Sequence, residues 1–158
     1  MSDHRAEAFA ARMAERGVAI EPREMDDTTH TAQDAATALG CDVAAIVKSL
    51  LFITGDGDDE SPVLVLASGP RRVDTQLIAE LLGRPVRMAD AKSVKLVTGS
   101  SIGGVPPIGH PQPIPTVFDE ALLELDEVWA AAASARSVFP IAPARLAELT
   151  NATIATVG

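Results

Sequence analysis

The spacing of apolar residues near the start of the chain predicts a helix. Ala6, Phe9 and Met13 recur at intervals of three and four residues within the segment 3–16, and polar residues fill the positions between them. This spacing places the apolar side chains on one face of an amphipathic helix. Gly17 follows directly and is expected to end the helix, because glycine readily takes the left-handed conformation of a C-terminal cap.

Beyond this helix, longer apolar runs alternate with capped, helix-like segments. The runs at 46–53 and 63–67 predict buried strands joined by an acidic, hairpin-like loop. Shorter runs predict strands at 18–21, 115–118, 127–130 and 138–139. Helices are predicted at 31–39, 74–82, 90–97 and 143–149, started by Thr31, Asp74, Asp90 and Pro143. This order of short helices and strands, without a repeat or linker, predicts one α+β domain over residues 1–158 with a mixed sheet.

The composition limits how such a domain is built. The chain of 158 residues is 47% hydrophobic but only 3% aromatic and contains no tyrosine, so small aliphatic residues must form the core. A nucleic-acid surface of stacked aromatic rings is therefore not expected. The single cysteine, Cys41, excludes an internal disulfide and a cysteine-based metal cluster. No apolar run has membrane-spanning length and no signal peptide is evident, so we expect a soluble, cytoplasmic protein.

The charges are unevenly distributed along the chain. The net charge of −9 argues against a nonspecific polyanion binder. Between Lys48 and Lys95, however, seven basic residues balance seven acidic ones, so the acidic excess lies elsewhere. The middle third could provide a local basic surface that contacts a few phosphates, or an ordinary solvated surface.

Lys48 is the first candidate functional residue. It is the one cation inside the apolar strand 46–53. Removing an ammonium group from water is costly unless an anionic or polar partner meets it. Lys48 is therefore either a ligand-binding group in a pocket or a lysine that extends along an edge strand to reach solvent.

The second candidate is the segment 102–109, which is too rich in glycine and proline for a helix or a central strand. Gly103 and Gly104 would let backbone N–H groups approach a ligand, while Pro106 and Pro107 stiffen the loop. Such donors suit a carbonyl oxygen that gains charge during acyl transfer, where one donor is worth about 3 kcal/mol. The alternative is a plain connecting loop.

Three other motifs are weaker. Residues 99–103 match G-x-S-x-G around Ser101, but the strand-turn-helix context is reversed, and His110 follows too closely for a triad in the usual order. No Gly-Lys-Ser/Thr sequence closes the loop as a phosphate-binding P-loop would. The acidic loop 55–60 lacks the glycine and distal glutamate of a calcium-binding EF-hand.

Several segments, taken together, resemble the YbaK/ProX family of free-standing aminoacyl-tRNA editing domains, which is related to the editing domain of bacterial prolyl-tRNA synthetases. The matching segments are 31–32, 46–52, 72–74, 91–96, 98–99 and 103–109. Their order spans nearly the whole chain from Thr31 onward. The lysine strand together with the G-x-x-x-P loop is fairly specific, whereas either alone would be weak.

The resemblance implies a mostly antiparallel, barrel-like sheet surrounded by helices, and hydrolysis of the ester between a wrong amino acid and tRNA. By this resemblance Lys48 and Gly103 are the catalytic residues. The expected substrate-binding residues are Ile102, Gly104, Val105, Pro107, Met25 and His30. Backbone N–H groups of residues 103–105 would polarise the ester carbonyl. Several family members use water or substrate groups instead of a protein nucleophile, and we expect no cofactor and no metal.

The expected partner is the acceptor end of an aminoacyl-tRNA, tRNA-Pro or another tRNA carrying a small amino acid such as Ala, Cys, Ser or Thr. A prolyl-tRNA synthetase or another synthetase is a possible second partner, whereas membrane and DNA are not expected. Two departures from the family pattern leave the substrate open: the sequence at 68–71, where the family often has Gly-Asp, and Pro106, where it often has serine.

Two other functions remain open from the sequence. A noncatalytic module of the same fold would bind tRNA or a synthetase without hydrolysing any ester. A hydrolase of small esters would use Ser101 as its nucleophile.

Overall fold

A computed structural model of the protein describes residues 4–25 and 31–158. The helices are α1 His4–Glu15, α2 Ala32–Leu39, α3 Thr75–Leu82, α4 Ala91–Thr98 and α5 Pro143–Thr150. The strands are β1 Arg23–Glu24, β2 Val47–Thr54, β3 Ser61–Ser68, β4 Val86–Met88, β5 Thr116–Asp119, β6 Val128–Ser134, β7 Ser137–Ile141 and β8 Thr153–Ala155. In the described part of the chain, no helix is long and apolar enough to cross a membrane.

Local capping residues determine where the helices begin and end. At α2 the Thr31 side chain accepts a hydrogen bond from the Asp34 backbone N–H at 3.0 Å, and the Asp34 carboxylate accepts one from the Thr31 N–H at 3.2 Å. These reciprocal bonds form a capping box. Asp74 and Asp90 cap α3 and α4 more simply, because each side chain accepts a hydrogen bond from one backbone N–H of its helix. The predicted starts of these helices are therefore confirmed.

The strands form two sheets. One has the order β1-β7-β6 and is antiparallel, and the other has the order β4-β2-β3-β5-β8 and is mixed. In the larger sheet β2 pairs antiparallel with β3 along eight residues, whereas β5 lies parallel to β3. A bridge between Ile46 and Trp129 links the start of β2 to the smaller sheet. The predicted α+β class is confirmed, while a closed barrel is not confirmed by the strand pairing of the described residues.

The core lies on both faces of the β2–β3 hairpin. One face packs Leu51, Leu64 and Leu66 against α1 and the smaller sheet, where the rings of Phe9 and Phe139 lie 5.6 Å apart. The other face packs a second set of side chains against α3; it includes Phe52, Val63, Val65, Ala67 and Ile78. Burial on both faces explains why these strands read as continuous apolar runs.

Some strand predictions were wrong in position. Residues 18–21 form no strand, and the short strand lies at Arg23–Glu24, where it pairs with Val138 and Ser137 of β7. β4 and β8 were not predicted, because each is three residues long and largely without buried side chains. Such short edge strands exist because a neighbouring strand offers free backbone groups, a property that local sequence does not encode.

Candidate active site

A cavity of about 320 Å³ lies beside the N-terminal half of β2. Its walls come from α2, the start of α4, the loop at 102–105, and strands β6 and β7. The walls are formed mainly by small or apolar side chains, including Ala32, Ala35, Met88, Trp129, Ala131 and Ala135. A concave, mostly apolar pocket with a few polar groups is the usual form of a small-ligand site.

Most of the residues predicted for the site meet at this cavity. Lys48, Ile102, Gly103, Val105 and Met25 all line it. The lysine strand and the glycine-proline loop, which are far apart in sequence, therefore meet at one cavity. Among the described residues that line it, Lys48 is the one charged side chain.

Two predicted substrate-binding residues, Gly104 and Pro107, are not among the described residues that line the cavity. Gly104 and Pro107 are both buried. His30 lies outside the described residues. Binding roles for these three residues stay predictions.

Lys48 is half-buried, and its ammonium is hydrogen-bonded. The Nζ donates to the carbonyl oxygen of Arg71 at 2.5 Å. Burial lowers the pKa of Lys48 from its ordinary value, and the charge of Asp119 opposes that shift. An ammonium has three N–H donors, so the bond to Arg71 fixes its position and leaves two donors for a ligand.

Asp119 supports this arrangement from the end of β5. Its carboxylate is fully buried and accepts hydrogen bonds from the backbone N–H groups of Ser68 and Ala121, both at 3.0 Å. The Nε of Arg71 lies 3.6 Å from the same carboxylate. Asp119 therefore holds the turn that supplies the acceptor for Lys48. Sequence reasoning missed Asp119, although an acid directly after the apolar pair 117–118 was a usable signal.

Gly104 positions the loop by close packing. A Cβ atom at this residue would lie 2.8 Å from the backbone nitrogen of Ala135 and the backbone carbon of Ser134. Its N–H donates to the carbonyl oxygen of Ser101 at 2.9 Å, within the loop itself. The neighbouring Gly103 has a φ of +91°, which favours glycine, and lines the cavity. The sequence predicted backbone donors at residues 103–105. Because the Gly104 N–H is already bonded within the loop, the N–H groups of Gly103 and Val105 remain as candidate donors to a ligand.

Next to the cavity, the edge of β2 around Ser49 has no strand partner among the described residues. β4 pairs with β2 only at Phe52–Thr54, and the Ala89 N–H then donates to the Leu51 carbonyl at 3.1 Å. Backbone groups of alternate strand residues point to the same edge, so the N–H and C=O of Ser49 point the same way as those of Leu51. Lys48 and Ser49 extend to opposite faces of the strand. The cavity therefore borders this edge of β2, and Lys48 and Ser49 line it from opposite faces of the strand.

Ser49 is a polar group that sequence reasoning did not select. Its Oγ is buried and has no hydrogen-bond partner among the described residues. A buried hydroxyl without a partner usually costs about 1–3 kcal/mol. A ligand that hydrogen-bonds to Ser49 would remove this cost.

The alternative serine site is not assembled. Ser101 is exposed and lies outside this cavity, and the Nε2–H of His110 donates to the Pro106 carbonyl oxygen at 2.7 Å. Within the described ranges no hydrogen bond joins Ser101 to His110. Nor do the described residues contain a cluster of three or more His, Cys, Asp or Glu side chains suited to a metal ion.

The fold and cavity define a class of protein: a small α+β domain with a pocket that offers a cation and backbone donors. The family model for the aminoacyl-tRNA editing domain matches residues 26–149. The chain belongs to this family, and the family predicted from the sequence is confirmed.

Relatives and solved structures agree with this assignment. The chain is 30% identical over 125 residues to the uncharacterized protein YwhH of Bacillus subtilis, covering 79% of this chain and 78% of that protein. It is 31% identical over 123 residues to the proline–tRNA ligase of Stenotrophomonas maltophilia, covering 76% of this chain but only 22% of the ligase. The chain thus spans about a fifth of that ligase.

Among solved structures, one described as a candidate trans-editing enzyme for prolyl-tRNA synthetase has a TM-score of 0.92 and 38% identity. The match covers 99% of this chain and 98% of that one. The hypothetical protein APE2540 has a TM-score of 0.84 and 30% identity, with 98% and 99% covered. Both therefore share essentially the whole fold.

Proposed function

We propose that this protein is an aminoacyl-tRNA deacylase that acts in trans and hydrolyses the ester of a mischarged tRNA. The observation that carries the proposal is the convergence of Lys48 and the Gly103 loop on one cavity, in a chain of the editing-domain family. The preferred substrate is tRNA-Pro, or another tRNA, carrying a small wrong amino acid such as Ala, Cys, Ser or Thr. A synthetase, prolyl-tRNA synthetase above all, would be a natural partner.

The proposed reaction needs no protein nucleophile. Water attacks the ester carbonyl carbon, the bond between that carbon and the ribose oxygen breaks, and a proton passes to the ribose oxygen. The N–H groups of Gly103 and Val105 would stabilise the negative charge on the carbonyl oxygen in the transition state. Lys48 would donate its remaining N–H groups to an oxygen of the ester, the ribose or the terminal phosphate.

The side chain of the wrong amino acid would lie against the cavity walls. Ala32, Ala35, Ala131 and Ala135 are among the residues that line these walls. The Ser49 hydroxyl and the backbone edge of β2 around it, which lack partners among the described residues, would accept hydrogen bonds from the α-amino group. One extra methylene in the amino acid changes the discrimination between two substrates by about 1–3 kcal/mol. The preference for one amino acid over another therefore depends on single residues of the cavity wall.

The direct test is a panel of mischarged tRNAs, Ala-, Cys-, Ser- and Thr-tRNA-Pro, with Pro-tRNA-Pro as the cognate control. Wild type, Lys48→Ala and Lys48→Arg would be compared with Lys92→Ala, which removes an exposed lysine of α4 outside the cavity. We expect wild type and Lys92→Ala to deacylate at least one mischarged tRNA and Lys48→Ala to lose about 100-fold or more, as for loss of one oxyanion donor.

Equal rates for Lys48→Ala and wild type on every ester would remove Lys48 from the mechanism. Tight tRNA binding by wild type without hydrolysis of any ester would instead identify a noncatalytic binding module. Full labelling by a serine-directed fluorophosphonate that is lost in Ser101→Ala would favour a small-ester hydrolase.

A further inference from the structure

A second cavity, of about 480 Å³, lies on the other side of the loop that borders the candidate active site. We call it the basic groove. Its charged lining comes from Arg5 and Arg12 on α1, Arg16 directly after α1 and Lys95 on α4, and no acidic side chain is among its described lining residues. A groove lined by one sign of charge focuses the electrostatic field and attracts ligands of the opposite sign. This local excess contrasts with the net charge of −9 for the whole chain.

Arg5 and Arg12 lie on α1, and Arg16 follows the last residue of this helix directly. The spacing of Arg5 and Arg12 puts them along one side of the helix, next to the face that buries Phe9 and Met13 completely. The guanidinium carbon of Arg12 lies 5.7 Å from the centre of the Phe9 ring, a favourable cation–π distance. The positive charges of Arg5 and Arg12 are therefore carried by a helix that is anchored in the core.

The charges of Arg12 and Arg16 also act on His110, another residue of the groove. His110 lines the groove, and its pKa is lowered first by burial and then by the charges of Arg16 and Arg12, while its bond to the Pro106 carbonyl acts in the opposite direction. The guanidinium groups of Arg12 and Arg16, which both act on His110, carry the same charge and repel each other. Binding of an anion would relieve that repulsion.

The groove adjoins the candidate active site through shared elements. Ser101 lines the groove, whereas Ile102 and Gly103, the next two residues, line the active-site cavity. On α4, Val94 lines the active-site cavity and the next residue, Lys95, lines the basic groove. A polyanion whose end occupies the cavity therefore has a path across the loop into the groove.

We propose that the basic groove binds the phosphodiester backbone of the RNA acceptor end whose terminal aminoacyl ester occupies the cavity. This inference rests on the proposed function, because it takes the ester to be part of a tRNA. RNA carries one negative charge at each phosphate, and arginine and lysine side chains bind such phosphates without reading the base sequence. α1, which contributes none of the cavity lining among the described residues, thereby acquires a role in substrate binding.

The test measures binding separately from hydrolysis. Fluorescently labelled, uncharged tRNA-Pro transcript ending in CCA would be titrated at several salt concentrations with wild type, Arg16→Gln and Arg12→Gln/Arg16→Gln. Arg16→Lys keeps the charge, and Arg145→Gln removes an exposed arginine from α5, away from the groove. Hydrolysis of a 3′-aminoacyl ester of adenosine, which has no RNA backbone, would be measured in parallel.

We expect the double variant to bind the transcript about tenfold more weakly at low salt, with the salt slope reduced by about 0.7 to 0.9 for each lost phosphate contact. Arg16→Gln alone should have part of this effect, and Arg16→Lys and Arg145→Gln should behave like wild type. Hydrolysis of the adenosine ester should be unchanged in every variant. Because Arg16→Gln leaves the contact between Arg12 and Phe9 intact, it tests the groove even if the double variant unfolds.

An unchanged affinity and salt slope in Arg16→Gln and the double variant would overturn the proposal. An equal loss of affinity in Arg145→Gln would also overturn it, because it would indicate a general effect of net charge. Binding of polyglutamate in preference to the transcript would overturn it as well, because it would indicate an acidic protein partner. Failure of the proposed function has a different signature. In that case wild type would bind the transcript through the groove but hydrolyse neither mischarged tRNA nor the adenosine ester.

Discussion

The ammonium of Lys48 donates a hydrogen bond to the backbone carbonyl oxygen of Arg71, across 23 positions of sequence. The Arg71 side chain in turn lies beside the buried carboxylate of Asp119. Asp119 also accepts a hydrogen bond from the N–H of Ser68, at the start of the turn that carries Arg71. The position of the candidate catalytic cation is therefore set by a buried acid that does not line the cavity.

The first prediction concerns this buried acid. In Asp119→Asn the negative charge that raises the pKa of Lys48 is lost. The pKa of Lys48 should therefore fall further below its ordinary value, and activity that needs the ammonium should be lost at a lower pH than in wild type. The measurement is the alkaline limb of the profile of kcat/KM against pH on a mischarged tRNA.

The same change should lower the free energy of unfolding in urea by about 1–3 kcal/mol, because buried backbone donors lose a charged acceptor. Asp126→Asn, at an exposed acid, is the matched control. An alkaline limb identical to that of wild type would contradict a positioning role for Asp119.

The second prediction concerns the packing of the loop. Gly104→Ala would push a methyl group against the backbone of Ser134 and Ala135, which must move. We expect a loss of about 1–3 kcal/mol in unfolding free energy and a lower kcat/KM, since the Gly103 N–H would be displaced. Gly17→Ala is the control: its φ of +80° makes alanine strained, but nothing lies within 4 Å of the new atom. It should reduce stability without reducing kcat/KM, and an equal effect of both changes on activity would argue against the loop.

The third prediction concerns substrate size. Ala35 is buried on α2 and lines the cavity, so Ala35→Leu should reduce its volume while keeping a residue of high helix propensity. Thr-tRNA-Pro should then lose more activity than Ala-tRNA-Pro, by about 10- to 200-fold for each methylene that no longer fits. Ala38→Leu, on the exposed side of the same helix, is the control. A uniform loss across all four esters would indicate disruption of the helix and not exclusion by size.

The fourth prediction concerns pH and stability. Burial lowers the pKa of His110 from its ordinary 6.5, with smaller contributions from Arg16 and Arg12. The unfolded chain therefore binds this proton at a higher pH than the folded one does. The contribution of neutral His110 to the free energy of unfolding is therefore fully present above pH 6.5. It is lost as the pH falls through the lower pKa of His110 in the folded state.

Urea unfolding of wild type and His110→Gln across this range would measure the effect. The difference in unfolding free energy between the two proteins should change below pH 6.5 and stay constant above it. A difference that does not vary with pH would contradict the assignment.

The lysine strand, the glycine-proline loop and their order along the chain were sufficient to predict the family. Five of the residues predicted for the site line one cavity, namely Lys48, Ile102, Gly103, Val105 and Met25, and their roles stay predictions. The presence of a buried Ser49 hydroxyl at the cavity could not be predicted from the sequence. Whether a strand hydroxyl is buried without a partner depends on where the neighbouring strand ends, and β4 is too short to be seen in the sequence.

By itself the sequence determined the helix boundaries, the buried hairpin and the chemical groups available for a site. These depend on caps and apolar spacing that act within one or two turns of the chain. Only the tertiary structure decided where β4 stops pairing with β2, that Asp119 holds the turn bonded to Lys48, and that the arginines at 5, 12 and 16 meet Lys95 and His110 in one groove. Such contacts join segments up to about a hundred residues apart, and their geometry is set by the packing of the whole core, which no local pattern specifies.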